Sequence, residues 1–197
     1  MPAQPDLSAL LGSRLCHDLI GPIGAIGNGV ELLLLSPGGT EEVALIAQTV
    51  ATLSARLRFF RVAFGIARPD QSMARTEVQD ILSSLFPARR IILDWISPAA
   101  LSRTEVKAVF LLLLCAETAL RGGGHITVLR DEAGWNITLT SPRLSADPRL
   151  WSILTDAAPA SALEPAEVHF PLAAQALAAL GCKADLEPGP DRLRLSF

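Results

Sequence analysis

The stretch Arg14-Leu15-Cys16-His17-Asp18-Leu19-Ile20-Gly21-Pro22 sets one histidine and the acid that follows it inside an amphipathic helical pattern. A water-facing imidazole beside a carboxylate is a nucleophile able to hold a phosphoryl group. Asp18 can orient the ring or accept its proton, provided the ring is neutral near pH 7, which lies in the ordinary titration range of histidine. Arg14 stands one helical turn before Asp18, so it can pair with that acid or with a partner's carboxylate; a plain surface ion pair accounts for it equally well. Gly21, Gly24 and Asn28 follow on the histidine's own face at helical offsets. Glycine costs a helix interior about 1 kcal/mol relative to alanine and Pro22 about 3 kcal/mol. This helix therefore gives up propensity around its histidine, as it would to admit another body closely. Against this stands the ordinary fate of a lone surface histidine, which is simply to be solvated.

The elements that must carry these residues follow from periodicity. Leu11, Leu15, Leu19, Ile23, Ile26, Val30 and Leu33 step by three or four and predict one helical face turned to a core, with His17 opposite. Ser36-Pro37-Gly38-Gly39 supplies a turn, and Thr40, Glu41 and Glu42 suit the start of a second helix reaching about Ile66. Val43, Ala47, Val50, Leu53, Leu57, Phe60 and Phe64 form its apolar stripe, with Arg56, Arg58 and Arg61 near its end. Two such helices make a hairpin whose apolar faces exceed what one hairpin can bury, which predicts a homodimer built on a four-helix bundle.

Arg68-Pro69-Asp70-Gln71-Ser72 breaks the helical pattern and divides the chain into a hairpin unit, 1–68, and a second unit, 74–197. In the second unit, Thr76 to Gln79 reads as a capping box opening a helix to about Phe86, and Arg90 to Trp95 as a strand. Ser102 to Glu105 reads as a second capping box before a helix through Leu120. Ile126–Arg130 and Trp135–Thr140 flank a turn, and a helix from about Pro171 to Leu180 precedes strands at Lys183–Leu186 and Arg192–Phe197. This order predicts an α+β fold: a helical hairpin followed by an α/β sandwich with helices on one face.

His17-Asp18-Leu19-Ile20-Gly21-Pro22-Ile23 resembles the H-box of sensor histidine kinases: histidine, acid, a hydrophobic residue, two variable residues, proline and an aliphatic residue. With Arg14-Leu15-Cys16 before it and Gly24-Ala25-Ile26-Gly27-Asn28-Gly29-Val30-Glu31-Leu32 after it, the segment more closely resembles the ChpT-type histidine phosphotransferases of alphaproteobacteria. The resemblance is strong over residues 13–34 and weaker over the remainder. It implies that the second unit is a degenerate relative of the histidine-kinase ATP-binding domain. It also implies that His17 relays a phosphoryl group between aspartates of response-regulator receiver domains, including that of a hybrid histidine kinase. Arg14, Ile20, Gly21, Gly24 and Asn28 would meet the receiver, which itself would bring the magnesium; the chain would bind no cofactor. Bifunctional kinases carry a threonine or asparagine four residues after the histidine, and Gly21 stands there, which implies weak phosphatase activity.

The family's nucleotide machinery is hard to find in this chain. Matching Gly123-Gly124-His125-Ile126-Thr127-Val128 to the family's Gly-Gly-x-Ile-x-Val puts Cys115 where a magnesium-binding asparagine belongs, and magnesium prefers hard oxygen ligands. Ser141-Pro142-Arg143-Leu144-Ser145 lacks the aspartate and glycines that anchor adenine. Glu164-Pro165-Ala166-Glu167-Val168-His169-Phe170-Pro171 lacks a glycine-rich lid. The rival readings are an ATP-dependent kinase and a dimeric adaptor that docks receivers without transferring phosphate.

Bulk composition narrows the remaining classes. The 197 residues are 50% hydrophobic with mean hydropathy +0.37, yet the longest apolar run, Ala108 to Ala116, ends at Glu117, short of the roughly 20 residues of a membrane span. The expectation is a cytoplasmic protein with no membrane partner. A formal net charge of −3 offers nucleic acid no electrostatic footprint. Cys16, Cys115 and Cys182 are far apart and read as small buried residues in a reducing compartment, not as metal ligands. Gly122-Gly123-Gly124 follows a helix and reads as its C-terminal cap, while His125 and His169 read as structural or solvated. Arg89 and Arg90 receive no role.

Overall fold

The computed structural model describes residues 6–35, 40–86, 90–155 and 163–197. The expected turn at 36–39 and Arg89 lie outside them. In chain order come α1 (Leu7–Leu35), α2 (Thr40–Ala63), β1 (Ser72–Ala74), α3 (Arg75–Leu85), β2 (Ile91–Ile96), β3 (Ala100–Ser102) and α4 (Arg103–Ala119). They are followed by β4 (Gly124–Asp131), β5 (Gly134–Thr140), α5 (Pro148–Thr155), a 3-10 turn (Pro165–Glu167), α6 (His169–Ala179), β6 (Asp185–Pro188) and β7 (Arg192–Ser196).

The hairpin forms as expected, but its apolar surface is only partly used. Asp6 opens α1 by accepting the N–H groups of Ser8 and Ala9 at 3.0 and 3.1 Å. A Cβ at Gly29 would come within 2.7 Å of the outer atoms of the Ile46 side chain, so with glycine at this point Ile46 packs directly on the α1 backbone. Two helices side by side shield one stripe each. Ile26 and Leu33 on α1 and Ile46 and Leu53 on α2 are half-buried. Ile23 and Val30, expected in the core, are exposed (Ile23 57%), as are Val43, Val50 and Leu57 of the expected α2 stripe. The sequence stripes thus mix two faces, and one of them is left uncovered among the described residues.

Further along α2 the outcome reverses. Phe59, Phe60, Val62 and Ala63 enter the core of the second unit, where the Phe59 ring stacks on Phe110 of α4 with centroids 4.6 Å apart. Lys107 donates to the Gly65 carbonyl at 2.8 Å just beyond. Among the described residues α2 is the one helix long and apolar enough, by length and composition, to cross a membrane, its most apolar window averaging a hydropathy of 1.2. It passes on average composition even though Arg56, Arg58 and Arg61 punctuate its packed end.

The main sheet runs in the order β2-β4-β5-β7-β6. β2 and β4 are parallel, joined across α4, and every other pair is antiparallel. Period-two alternation sends Ile126, Val128, Ile137, Leu139, Leu193 and Leu195 into the core with α4. α4 buries eleven of its 17 residues. It ends through Gly123, whose φ of 89° is left-handed and whose N–H reaches the Leu120 carbonyl at 2.8 Å, as the glycine run predicts.

Neither expected capping box forms. α3 starts one residue early, straight from β1, and the Arg75 N–H donates to the Ala99 carbonyl at 2.8 Å. Gln79 instead reaches the Trp95 carbonyl at 3.4 Å. Ser102 pairs with the Thr104 hydroxyl at 2.7 Å, and Glu105 with Arg130 at 3.5 Å. A capping box does close the 3-10 turn, between Glu164 and Glu167. The β1–β3 ribbon, α5 and the 3-10 turn have no counterpart in the sequence reading.

Candidate functional site

The helical offsets in α1 determine which way each polar side chain points. Adjacent residues are rotated by about 100°, so His17 and Asp18 cannot share a direction, whereas Arg14 and Asp18, four apart, do. His17 stands out from α1 with 87% of its side chain exposed. Asp18 and Arg14 turn toward the second unit, with side chains only 12% and 17% exposed.

The contacts form a chain. Asp18 Oδ1 lies 3.2 Å from His17 Nδ1, and Asp18 Oδ2 accepts from Arg14 Nε at 2.9 Å. The Arg14 guanidinium also donates through Nη1 to the Ala166 carbonyl at 2.6 Å, in the 3-10 turn, and lies 3.2 Å from His169 Nδ1 at the start of α6. Burial pushes the Asp18 carboxyl upward, but the hydrogen bonds from Arg14 and His17, with the charges of Arg14 and Arg56, outweigh it and hold the group below the usual carboxylate range. Asp18 is therefore an anion already committed to a cation. That makes it a better anchor for the His17 Nδ1–H than a receptor for its proton, and it leaves the Nε2 lone pair facing solvent.

Around this chain the expected residues divide. Ile20 is exposed, and at Gly21 and Gly24 an added Cβ would meet nothing within 4 Å, so with exposed Asn28 they extend an open surface from His17. Arg14, expected to share that surface, is turned away and takes the first of its two sequence options, the ion pair with Asp18. Beneath His17 a cleft of about 530 Å³ separates the hairpin from the second unit, lined among others by Ser13, Arg56, Phe60, Glu117 and Pro165. Arg56, which the sequence placed only near the end of the second helix, also lines this cleft.

His169 is the larger omission. Expected to be structural or solvated, it is 1% exposed, and burial together with the Arg14 charge pushes its pKa down to about 3. No spacing rule links it to His17, since the link runs through Arg14 across 155 positions. His125, by contrast, meets Asp94 at 2.7 Å on the open sheet surface, away from this cluster. Cys115, at the position matched to a magnesium ligand, is fully buried inside α4, and burial raises its thiol pKa well above the ordinary range.

Comparison with known proteins gives a consistent picture. A family profile described as the histidine phosphotransferase C-terminal domain matches residues 75–192. The protein phosphotransferase ChpT of Brucella abortus (strain 2308) is 34% identical over 172 residues, covering 83% of this chain and 80% of that protein. A bacterial phosphotransferase of known structure, determined at 1.7 Å, aligns with a TM-score of 0.83 and 28% identity over 100% of this chain and 98% of its own.

Proposed function

Because the chain belongs to the ChpT-type histidine phosphotransferases of two-component phosphorelays, we propose that His17 carries the phosphoryl group, taken from a receiver-domain aspartyl phosphate and passed to the aspartate of a second receiver. The observation that carries this reading is the exposed imidazole whose Nδ1 faces a carboxylate already paired to an arginine.

The chemistry follows from that arrangement. With the Nδ1–H directed at Asp18, His17 Nε2 attacks phosphorus in line; the new N–P bond forms as the aspartyl O–P bond breaks, and the receiver's carboxylate leaves. No proton has to move, since the ring keeps its Nδ1–H and becomes an N-phosphoryl imidazolium. Its positive charge grows beside the Asp18 anion, already in place before the step begins. The reverse attack by another receiver's carboxylate returns the ring to its starting state. Docking of the receiver supplies most of the acceleration, by holding phosphorus against Nε2, and Ile20, Gly21, Gly24 and Asn28 are the surface on which it lands. Magnesium comes with the receiver. A receiver attached to a hybrid histidine kinase is the donor this relay implies, and the cytoplasm is its compartment.

The hairpin, 1–68, pairs with that of a second copy through Ile23, Val30, Val43, Val50 and Leu57, closing a four-helix bundle. The unit at 74–197 holds the hairpin and uses no nucleotide, consistent with Cys115 being sealed in the core.

Transfer is tested by mixing the purified chain with a radiolabelled phospho-receiver and following label to the chain. Label is expected on the wild type and none on His17→Ala with an unchanged circular dichroism spectrum; label on both refutes the assignment. Autophosphorylation from ATP and magnesium alone would establish a kinase instead.

A further inference from the structure

His169 is odd as a structural residue. Its ring is buried, Nδ1 faces Arg14 Nη1 at 3.2 Å, and Nε2 is buried with no hydrogen-bond partner among the described residues. Arg14 can only donate, so His169 Nδ1 must be the acceptor and the proton must sit on Nε2, where it is unanswered. The ring lies against Phe170, with centroids 4.8 Å apart, a setting that an apolar ring would fill without leaving a donor stranded. Buried polar groups with one bond made and one forgone are rare in cores selected for stability alone.

What the single bond achieves is directional. Arg14 has a long flexible side chain and offers its fork to Asp18 through Nε, while Nη1 is held from the far side by the Ala166 carbonyl and by His169. Without those acceptors the guanidinium could swing to solvent, and Asp18 would be free to turn from the His17 ring. Resting on the reading of His17 as phosphoryl carrier, we propose that His169, in the second unit, is a positioning residue for the relay: through Arg14 and Asp18 it fixes the His17 tautomer that leaves Nε2 free to attack. The second unit then contributes to transfer without touching the phosphoryl group. Protonating His169 would set a cation against Arg14, so the neutral ring is the working form.

The test uses the full-length chain labelled with ¹⁵N-histidine. The His17 tautomer is read by long-range nitrogen–proton correlation in the wild type, His169→Phe and His169→Asn, because phenylalanine keeps the volume and removes the acceptor, whereas the Asn Oδ1 can replace Nδ1. In water an unconstrained imidazole favours the Nε2–H form. Expected are a predominantly Nδ1–H His17 in the wild type and His169→Asn and a shift to Nε2–H in His169→Phe. Phosphoryl uptake from a phospho-receiver in His169→Phe should be roughly tenfold slower, with the half-saturating receiver concentration unchanged and thermal stability undiminished. Arg14→Lys, which removes the fork from the other end without altering the α6 core, should give the same shift. An unchanged His17 tautomer in both His169→Phe and Arg14→Lys overturns the proposal, as does a rate in His169→Asn as low as in His169→Phe. The tautomer is read on unphosphorylated protein, so a wild type that takes no label at His17 sinks the acceptor reading alone.

Discussion

α1 and α4 are both long apolar helices, and they meet opposite fates. α4 loses eleven of its 17 residues to the core, whereas in α1, with 29 residues, Gly29 is the one fully buried position among those whose side chains are described. Apolar content alone therefore does not decide where a helix goes. α4 is enclosed because the sheet, α2 and α6 surround it. Among the described residues, α1 has α2 on one flank and the 3-10 turn near its start, and Ile23 and Val30 are left exposed. The enclosed helix holds the chain together, while the open one leaves exposed the two strips on which a second copy and, around His17, the receiver are proposed to land.

The sharpest way to break this contrast is to truncate one apolar side chain in each helix. Phe110→Ala on α4 should cost about 3–5 kcal/mol, seen as a lower urea midpoint, while Val30→Ala on α1 should change the unfolding free energy of the dissociated chain by no more than about 0.5 kcal/mol. Equal losses would mean that α1 is packed in the single chain after all. Next, a Val50→Glu, Leu57→Glu double variant should turn the proposed dimer into monomer by size-exclusion chromatography with light scattering, with helical content retained. A wild type that is monomeric at micromolar concentration would remove the strip proposed for a second copy altogether.

Acid probes the junction between the two regions. The folded-state pKa of His169 is about 3 against 6.5 for the free side chain, so its neutral form stabilises the fold fully above pH 6.5, and that contribution falls as the pH drops toward 3. Between pH 7 and 5 this removes about 2 kcal/mol of unfolding free energy, a slope that His169→Phe should flatten. Asp18, also depressed, adds a loss only below its ordinary value of 3.8. The smallest effect is the absence of one: with Gly21 unable to position water, the chain should hydrolyse a phospho-receiver no faster than the receiver does by itself, and a faster phosphate-release rate would contradict this.

Much of this was written locally. The run from Ala108 to Ala116 fell inside a predicted helix and was too short for a membrane span, the segments on either side of the turn at 131–134 marked β4 and β5, and the offset of His17 from Leu15 and Leu19 exposed the imidazole. Where sequence reasoning failed, the deciding partner was remote. The boxes at Thr76 and Ser102 were plausible until Trp95, Thr104 and Arg130 claimed their side chains. The α2 stripe merged two faces because nothing local separates a flank that meets α1 from one left open. His169 was unreadable because its role depends on where α6 begins relative to α1.

One detail of that junction bears on how such a protein can change over generations. The shortest hydrogen bond from Arg14 to the second unit ends on the carbonyl of Ala166, a group that every amino acid possesses. Replacing Ala166 by another small residue leaves this acceptor in place so long as the 3-10 turn persists. The turn is kept by the side chains of Glu164 and Glu167, not by position 166. This part of the Arg14 anchorage thus depends on the shape of the main chain and tolerates a change of side chain at 166, while the contact beside it depends on the His169 ring itself.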